Sequence, residues 1–371
     1  MSPFSPKAIF LATFPGLEAT LAEEAGRKGF RRPRALPGGV SIEGGWPEVW
    51  RANLWLRGAN RVLVQVARFP AHHLSTLDAR ARALPWTMLL RPAAPFCVVA
   101  ECHGSRLYHS GAVAERVARA IQATTGGQET QDGLRVLVKM AGDVCTISLD
   151  TSGDLLHRRG FKQAVGPAPM RETMAALFLQ QCGYRGEEPL FDPMCGAGTF
   201  VLEAAEQVAR LNPGRDRNFA FERLAGFDPA AWAAMRAVRR VPRAGLICHG
   251  SDRDAGAVAM ATANAERGGL GAFTRFQAAP ISAVTAPAGP PGLVVVNPPY
   301  GTRLAEGTDL RPLYQTLGRV LRERFVGWRV GLVTSEPGLA AVTALPFLPP
   351  GPPVPHGGLR VSLYRTAALA A

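Results

Sequence analysis

Leu293-Val-Val-Val-Asn297-Pro298-Pro299-Tyr300-Gly301 is the stretch on which the reading of this chain turns. Four consecutive apolar residues, three of them β-branched, predict a strand buried on both faces of a parallel sheet. Two prolines end it, because neither can donate to a ladder and Pro298 also restricts Asn297. The Asn297 amide and the Tyr300 ring are thereby presented at the carboxyl end of a central strand, where open α/β sheets bind their ligands.

Such a corner suits attack by a planar, weakly nucleophilic amine whose lone pair is delocalised. The Asn297 side-chain oxygen and the Pro298 carbonyl can accept its two N–H groups and aim the lone pair at an electrophile, while Tyr300 stacks on the planar group. The work is then positioning and electrostatics, without a strong base. Asn297, Pro298, Pro299 and Tyr300 are the candidate catalytic residues. A proline-rich turn after a buried strand is the plain alternative, and the flanking sequence decides between them.

Upstream, Pro189-Leu-Phe-Asp192-Pro193-Met194-Cys195-Gly196-Ala197-Gly198-Thr199 reads as strand, glycine turn and helix start. The glycines let a ligand approach backbone, and the helix N-terminus offers free N–H groups. Asp192, Pro193, Cys195, Gly196, Gly198 and Thr199 are candidate cofactor contacts, as is Asn297 at the neighbouring strand end. The turn is not the longer G-x-G-x-x-G fingerprint and no Walker lysine follows, so a compact nucleoside fits better than a dinucleotide or a triphosphate. The next strand, 245–251, ends in Asp252, where a ribose diol is usually held; Asp254 reads as a helix N-cap. A strand at 273–277, a helix at 310–324 and strands at 328–334 and 359–364 complete a doubly wound α/β pattern.

The front of the chain is different. Residues 8–69 read as strand, helix, strand, helix, strand, a small sandwich, with Arg31, Arg32 and Arg34 in the turn after the first helix. A second small unit runs from about 73 to 161. Arg106, Tyr108 and His109 crowd the entry to its helix, whose polar face carries Arg116 and Arg119; a solvated surface and an electropositive nucleic-acid face are both open readings. His157-Arg158-Arg159-Gly-Phe-Lys162 reads as a basic hairpin leading to a Pro/Gly joint at 166–169, which marks a module border.

The net charge of +13 points to a polyanionic partner. Nearly all the positive charge is arginine, since Lys7, Lys28, Lys139 and Lys162 are the only lysines. The six cysteines form no C-x-x-C pair. Cys97, Cys102, His103 and His109 match no zinc spacing, so no metal is expected. No apolar run is long enough to span a bilayer and no secretory leader opens the chain, so no membrane partner and a cytoplasmic location are expected.

Strand–glycine–helix, then an acid, then Asn-Pro-Pro-Tyr, in that order, resembles the class I S-adenosylmethionine-dependent methyltransferases that act on amines. The closer resemblance is to bacterial THUMP-domain RNA guanine-N2 methyltransferases of the large-subunit ribosomal RNA kind, which some bacteria carry as the first half of a fused protein. Asp192-Pro-Met-Cys-Gly-Ala-Gly-Thr199, Gly250-Ser-Asp-Arg-Asp254, Asn297-Pro-Pro-Tyr-Gly-Thr-Arg303, Ser105-Arg-Leu-Tyr-His109 and Ser152-Gly-Asp-Leu-Leu-His-Arg-Arg-Gly160 carry it.

The resemblance implies a ferredoxin-like unit over 1–69, a THUMP unit over 70–160 that grips RNA, and a Rossmann-like class I methyltransferase domain over 161–371. It implies S-adenosylmethionine as cofactor and the exocyclic N2 of a ribosomal guanosine as target, with no obligate protein partner. Arg106, Tyr108, His109, Arg116, Arg158, Arg159 and Lys162 are the candidate RNA contacts. The same chemistry on tRNA, on adenine N6 or on a protein glutamine, and a non-catalytic RNA-binding assembly factor, are the alternatives. One departure stands out: the family usually has an acid after the third strand for the adenine amine, and here that region reads Gln277-Ala-Ala-Pro280-Ile281.

Overall fold

The computed structural model describes residues 4–6, 8–163, 170–301 and 309–370. The proline-glycine joint at 166–169 and the Thr302-Arg303 end of the motif lie outside them. The chain forms two compact units, each built on one seven-stranded sheet.

The first unit comprises residues 1–13, 22–156 and 217–238. Its strands are β1 (Ile9–Ala12), β2 (Arg31–Leu36), β3 (Gly39–Glu43), β4 (Arg61–Pro70), β5 (Phe96–His103), β6 (Leu134–Ala141) and β7 (Val144–Asp150). They run in the order β2-β3-β1-β4-β7-β6-β5, all antiparallel except the β5/β6 pair. The two small modules read from the sequence therefore share one sheet, joined where β4 pairs with β7.

The arginines Arg31, Arg32 and Arg34 do not sit in a turn, as the sequence suggested; they form β2. The strand lies at the sheet edge, where a proline is tolerated because no ladder needs its N–H. Its register shifts between Arg31 and Arg34, with Arg32 at φ 47°, so the strand bulges around Pro33. The late segment 217–238 supplies this unit with an aromatic cluster: Phe221 stacks on Trp50 at 6.1 Å and meets Trp232 edge-on at 5.0 Å.

The second unit comprises residues 14–21, 157–216 and 239–371. Its strands are β8 (Leu190–Asp192), β9 (Cys248–Asp252), β10 (Thr274–Ala278), β11 (Leu293–Val296), β12 (Arg329–Thr334), β13 (Val354–His356) and β14 (Leu359–Arg365). They run in the order β10-β9-β8-β11-β12-β14-β13. The first five are mutually parallel, β14 runs antiparallel to β12, and β13 runs antiparallel to β14.

All four residues of β11 are 0% exposed. That is what a continuous apolar run at the centre of a sheet covered on both faces requires. Strand order reverses between β8 and β11, which makes the carboxyl ends of those two strands the topological switch point. The Rossmann-like architecture expected from the alternating pattern is the one observed. β13 was not anticipated. Gly357 and Gly358, at φ 57° and 82°, supply the two left-handed residues a tight hairpin turn needs. Among the described residues, no helix is long and apolar enough to cross a membrane.

Candidate active site

Sheet register brings the candidate residues to one edge. Asp192, the last residue of β8, is level with Gly250 of β9, so Asp252 stands two residues further along. Asp252 is in turn level with Ala278, the end of β10. On the other side of β8, Val294 pairs with Phe191, which puts Asn297 three residues beyond that pair. The acid of β8, the acid of β9 and the amide after β11 thus share the carboxyl edge of three adjacent strands.

The turn after β8 is held by backbone. Asp192 Oδ1 accepts from the Met194 N–H at 3.0 Å, and the Cys195 N–H donates to the Ser251 carbonyl at 2.9 Å. The Ser251 hydroxyl donates to the Pro193 carbonyl at 3.3 Å. Pro193 and Cys195 therefore stitch the turn to β9, and burial of the Cys195 thiol pushes its pKa up, away from reactivity. Gly196 and Gly198 have φ of 50° and 86°. A Cβ on Gly198 would lie 3.1 Å from Ala261 Cβ, while one on Gly196 would meet nothing within 4 Å. Gly198 serves packing, and Gly196 borders open space. Thr199 begins the helix Thr199–Val208.

Asp252 braces this turn: Oδ2 accepts from the Gly196 N–H at 3.0 Å and Oδ1 from the Asp254 N–H at 3.0 Å. Asp254 caps the next helix through the Gly256 N–H at 2.8 Å, as expected. Asp192 is 2% exposed. Burial raises its pKa from 3.8 to about 8, the Met194 N–H opposes the shift, and the charge of Asp252 adds to it.

After β11, Asn297 Oδ1 is buried and has no hydrogen-bond partner among the described residues. An unpaired buried acceptor costs about 1–3 kcal/mol and in a native site calls for an explanation. The Pro299 carbonyl is engaged by the Tyr314 hydroxyl at 3.1 Å. Tyr300 is corrected by the structure: it is 0% exposed, packed in the interior rather than standing as an open stacking platform.

The candidate RNA residues separate into two groups. Arg106, Tyr108, His109 and Arg116 gather in the first unit at the start of the helix Ser110–Thr125. Tyr108 is 81% exposed, and His109 Nδ1 caps the helix by accepting from the Ala112 N–H at 3.2 Å. The loop is fixed by Asp143, whose Oδ1 accepts from the Arg106 N–H at 2.6 Å.

Arg158 is exposed, but Arg159 and Lys162 are not phosphate contacts. Arg159 is 2% exposed and makes a two-point ion pair with buried Glu203, at 2.8 and 3.3 Å. Lys162 Nζ lies 2.9 Å from Glu172 Oε1 and donates to Thr199 Oγ1 at 2.7 Å. The basic run is wired into the cofactor-side helix because Glu203 and Glu206 face inward from it. Two glutamates inside an otherwise apolar helix were the available signal.

Comparison with known proteins bears on this geometry. Residues 159–345 match the family described as RMKL-like, methyltransferase domain; residues 8–63 match the RlmL ferredoxin-like domain and residues 71–150 the THUMP domain. A protein of Listeria monocytogenes, described as a predicted N6-adenine-specific DNA methylase, is 30% identical, with 98% of this chain and 97% of that chain covered and a TM-score of 0.86. SMU.472, described as a methyltransferase and solved with SAH, is 24% identical over 99% and 100% of the two chains, at a TM-score of 0.87. TrmN from Thermus thermophilus is 24% identical over 98% and 99%, at 0.75. The last two likenesses are of fold.

Proposed function

We propose, for a chain that belongs to the THUMP-containing RMKL-like methyltransferases, that it methylates the exocyclic N2 of a guanosine in large-subunit ribosomal RNA. The observation that carries the amine chemistry is the buried Asn297 Oδ1 at the switch point, which has no hydrogen-bond partner among the described residues. An exocyclic amine has two N–H groups to give, and Asn297 Oδ1 with the Pro298 carbonyl would take them. Held so, the nitrogen lone pair is turned out of conjugation toward the methyl donor.

The residues present fit S-adenosylmethionine. Open space beside Gly196, the Asp252 carboxylate and the buried Asp192 are of the kinds that receive backbone approach, a ribose diol and an ammonium group. When bound, the cofactor supplies an electrophilic methyl group on a sulfonium. Asp252 would hold the ribose, the 192–199 turn would hold the methionine end, and Asn297 would orient the amine. An RNA substrate is supported by the THUMP module in front, and guanine by the resemblance that the motifs carry. Since a duplex hides N2 from a deep pocket, the target base must be unpaired or flipped out.

Methyl transfer from labelled S-adenosylmethionine to stripped ribosomal RNA, bulk tRNA and duplex DNA tests the substrate. Label in large-subunit ribosomal RNA alone is the expected result; label confined to tRNA or DNA overturns it.

Two cofactor predictions follow from the carboxylates. Without an acid near Ala279 or Pro280, adenine gains no charged hydrogen bond of about 1.5–3 kcal/mol. Pro280→Asp is therefore expected to tighten S-adenosylhomocysteine binding about tenfold, and Asp252→Ala to reduce it below calorimetric detection. A neutral Pro280→Asp would mean that another group already holds the adenine.

The second concerns pH. Free Asp192 keeps its proton up to about 8, whereas a cationic ligand favours the carboxylate. Below that pH, binding must expel a proton and is weakened. Affinity for S-adenosylmethionine should rise with pH and level off above about 8, and Asp192→Asn should flatten the profile. A wild-type profile already flat from pH 5.5 would contradict this.

A further inference from the structure

We infer that Tyr314 is a positioning residue that fixes which backbone carbonyl of the Asn297–Gly301 turn faces the amine, assisted by Glu336; this rests on the amine-holding role given above to Asn297 and Pro298. Neither residue belongs to a sequence motif; Tyr314 lies on the helix Arg311–Arg324 and Glu336 follows β12.

The turn contains two adjacent carbonyls, those of Pro298 and Pro299, and only one can be the second acceptor beside Asn297 Oδ1. The pyrrolidine rings lock φ at both prolines, so the orientation of these carbonyls depends on the intervening ψ angles. From below, the Tyr314 hydroxyl donates to the Pro299 carbonyl at 3.1 Å and lies 3.4 Å from Thr334 Oγ1. Tyr314 and Thr334 are both 0% exposed. Thr334 ends β12, the strand paired in parallel with β11, and its hydroxyl accepts from the Glu336 N–H at 3.2 Å.

Glu336 closes the other end. It precedes the helix Pro337–Val342 but makes no side-chain cap there. Its Oε1 instead accepts from the Gly301 N–H at 2.7 Å. The turn is thus anchored at Val296 by the sheet, at Pro299 by a tyrosine and at Gly301 by a glutamate. Pro299 is committed inward. Among the described residues nothing bonds the Pro298 carbonyl, which is the one left to pair with Asn297 Oδ1 as an amine cradle.

A hydroxyl that only filled the core would affect stability. One that positions the cradle affects turnover. Tyr314→Phe keeps the ring and removes the donor, Glu336→Ala removes the acceptor, and Glu336→Gln retains an acceptor oxygen. Single-turnover methyl transfer under saturating S-adenosylmethionine is expected to slow about tenfold in Tyr314→Phe, the upper end for one neutral hydrogen bond. Glu336→Ala is expected to slow it severalfold and Glu336→Gln to restore it, with the calorimetric affinity for S-adenosylhomocysteine unchanged in all three.

A second readout needs no substrate. In the Asn297–Gly301 turn only Asn297, Tyr300 and Gly301 have backbone N–H groups, and their hydrogen exchange should quicken in Tyr314→Phe and Glu336→Ala. Wild-type exchange in both variants would overturn the clamp, as would unchanged turnover. Methylation of some other acceptor by the wild type would overturn the guanine reading instead, and the exchange result would still decide the clamp.

Discussion

Asn297→Ala is expected to lower the methyl-transfer rate about 100- to 1,000-fold while leaving S-adenosylhomocysteine affinity within about threefold of wild type. That is the usual cost of removing one preorganised group that acts on charge developing in a transition state. The separation of rate from affinity follows from position. Asn297 lies beyond the end of β11, and its side-chain oxygen bonds nothing among the described residues. The contacts that brace the cofactor turn come from Asp252 and Ser251, on the other side of β8, and from Met194 within the turn. Asn297→Asp makes the case sharper, because it keeps an acceptor oxygen but replaces the amide nitrogen with a second oxygen and adds a charge. Single-turnover kinetics paired with calorimetry separate the two quantities. A variant that turns over near the wild-type rate would remove the amine-holding role altogether.

Arg159→Ala is expected to destabilise the folded protein by about 3–5 kcal/mol, the cost of leaving a buried charge without its partner. Glu203 is 1% exposed and Glu206 0% exposed, so water cannot take over from the guanidinium. Urea unfolding measures the loss. At a temperature where the variant is still folded, its RNA affinity and the salt slope of that affinity should match wild type, since an interior arginine neutralises no phosphate. Arg106→Ala should show the opposite pattern, with stability little changed and a shallower salt slope. If Arg159→Ala instead weakens RNA binding at unaltered stability, the ion pair with Glu203 is not the role of this residue.

These two residues mark how far the sequence could be read. The run from Leu293 to Val296 is apolar, β-branched and closed by prolines, and no arrangement but a buried central strand satisfies it. The glycine turn after Asp192 and the acid ending the next strand were legible for the same reason: local backbone chemistry leaves few options. The class of fold and the family were therefore readable, and the parallel order of β8 to β12 confirms the architecture.

What was hidden depends on partners distant in sequence. Arg158, Arg159 and Lys162 look alike in a basic run, yet Arg158 is exposed and the other two face glutamates 44 and 10 residues further on. Tyr300 looked like a stacking ring because the sequence shows the strand end but not the layer packed over it. Tyr314 gave no signal at all, being one aromatic on an amphipathic helix. The edge strand β2 was obscured by arginines and a proline, the residues that protect an edge from further pairing. Apart from β2, pattern fixed the backbone, and tertiary contact assigned the side chain.

The most direct test of the central claim is the identity of the methylated nucleoside. Stripped large-subunit ribosomal RNA is incubated with the protein and labelled S-adenosylmethionine, digested to nucleosides and resolved by mass spectrometry, with Asn297→Ala as the control. The account predicts label in N2-methylguanosine, absent with the variant. Label in N6-methyladenosine, or N2-methylguanosine formed equally by Asn297→Ala, would contradict it.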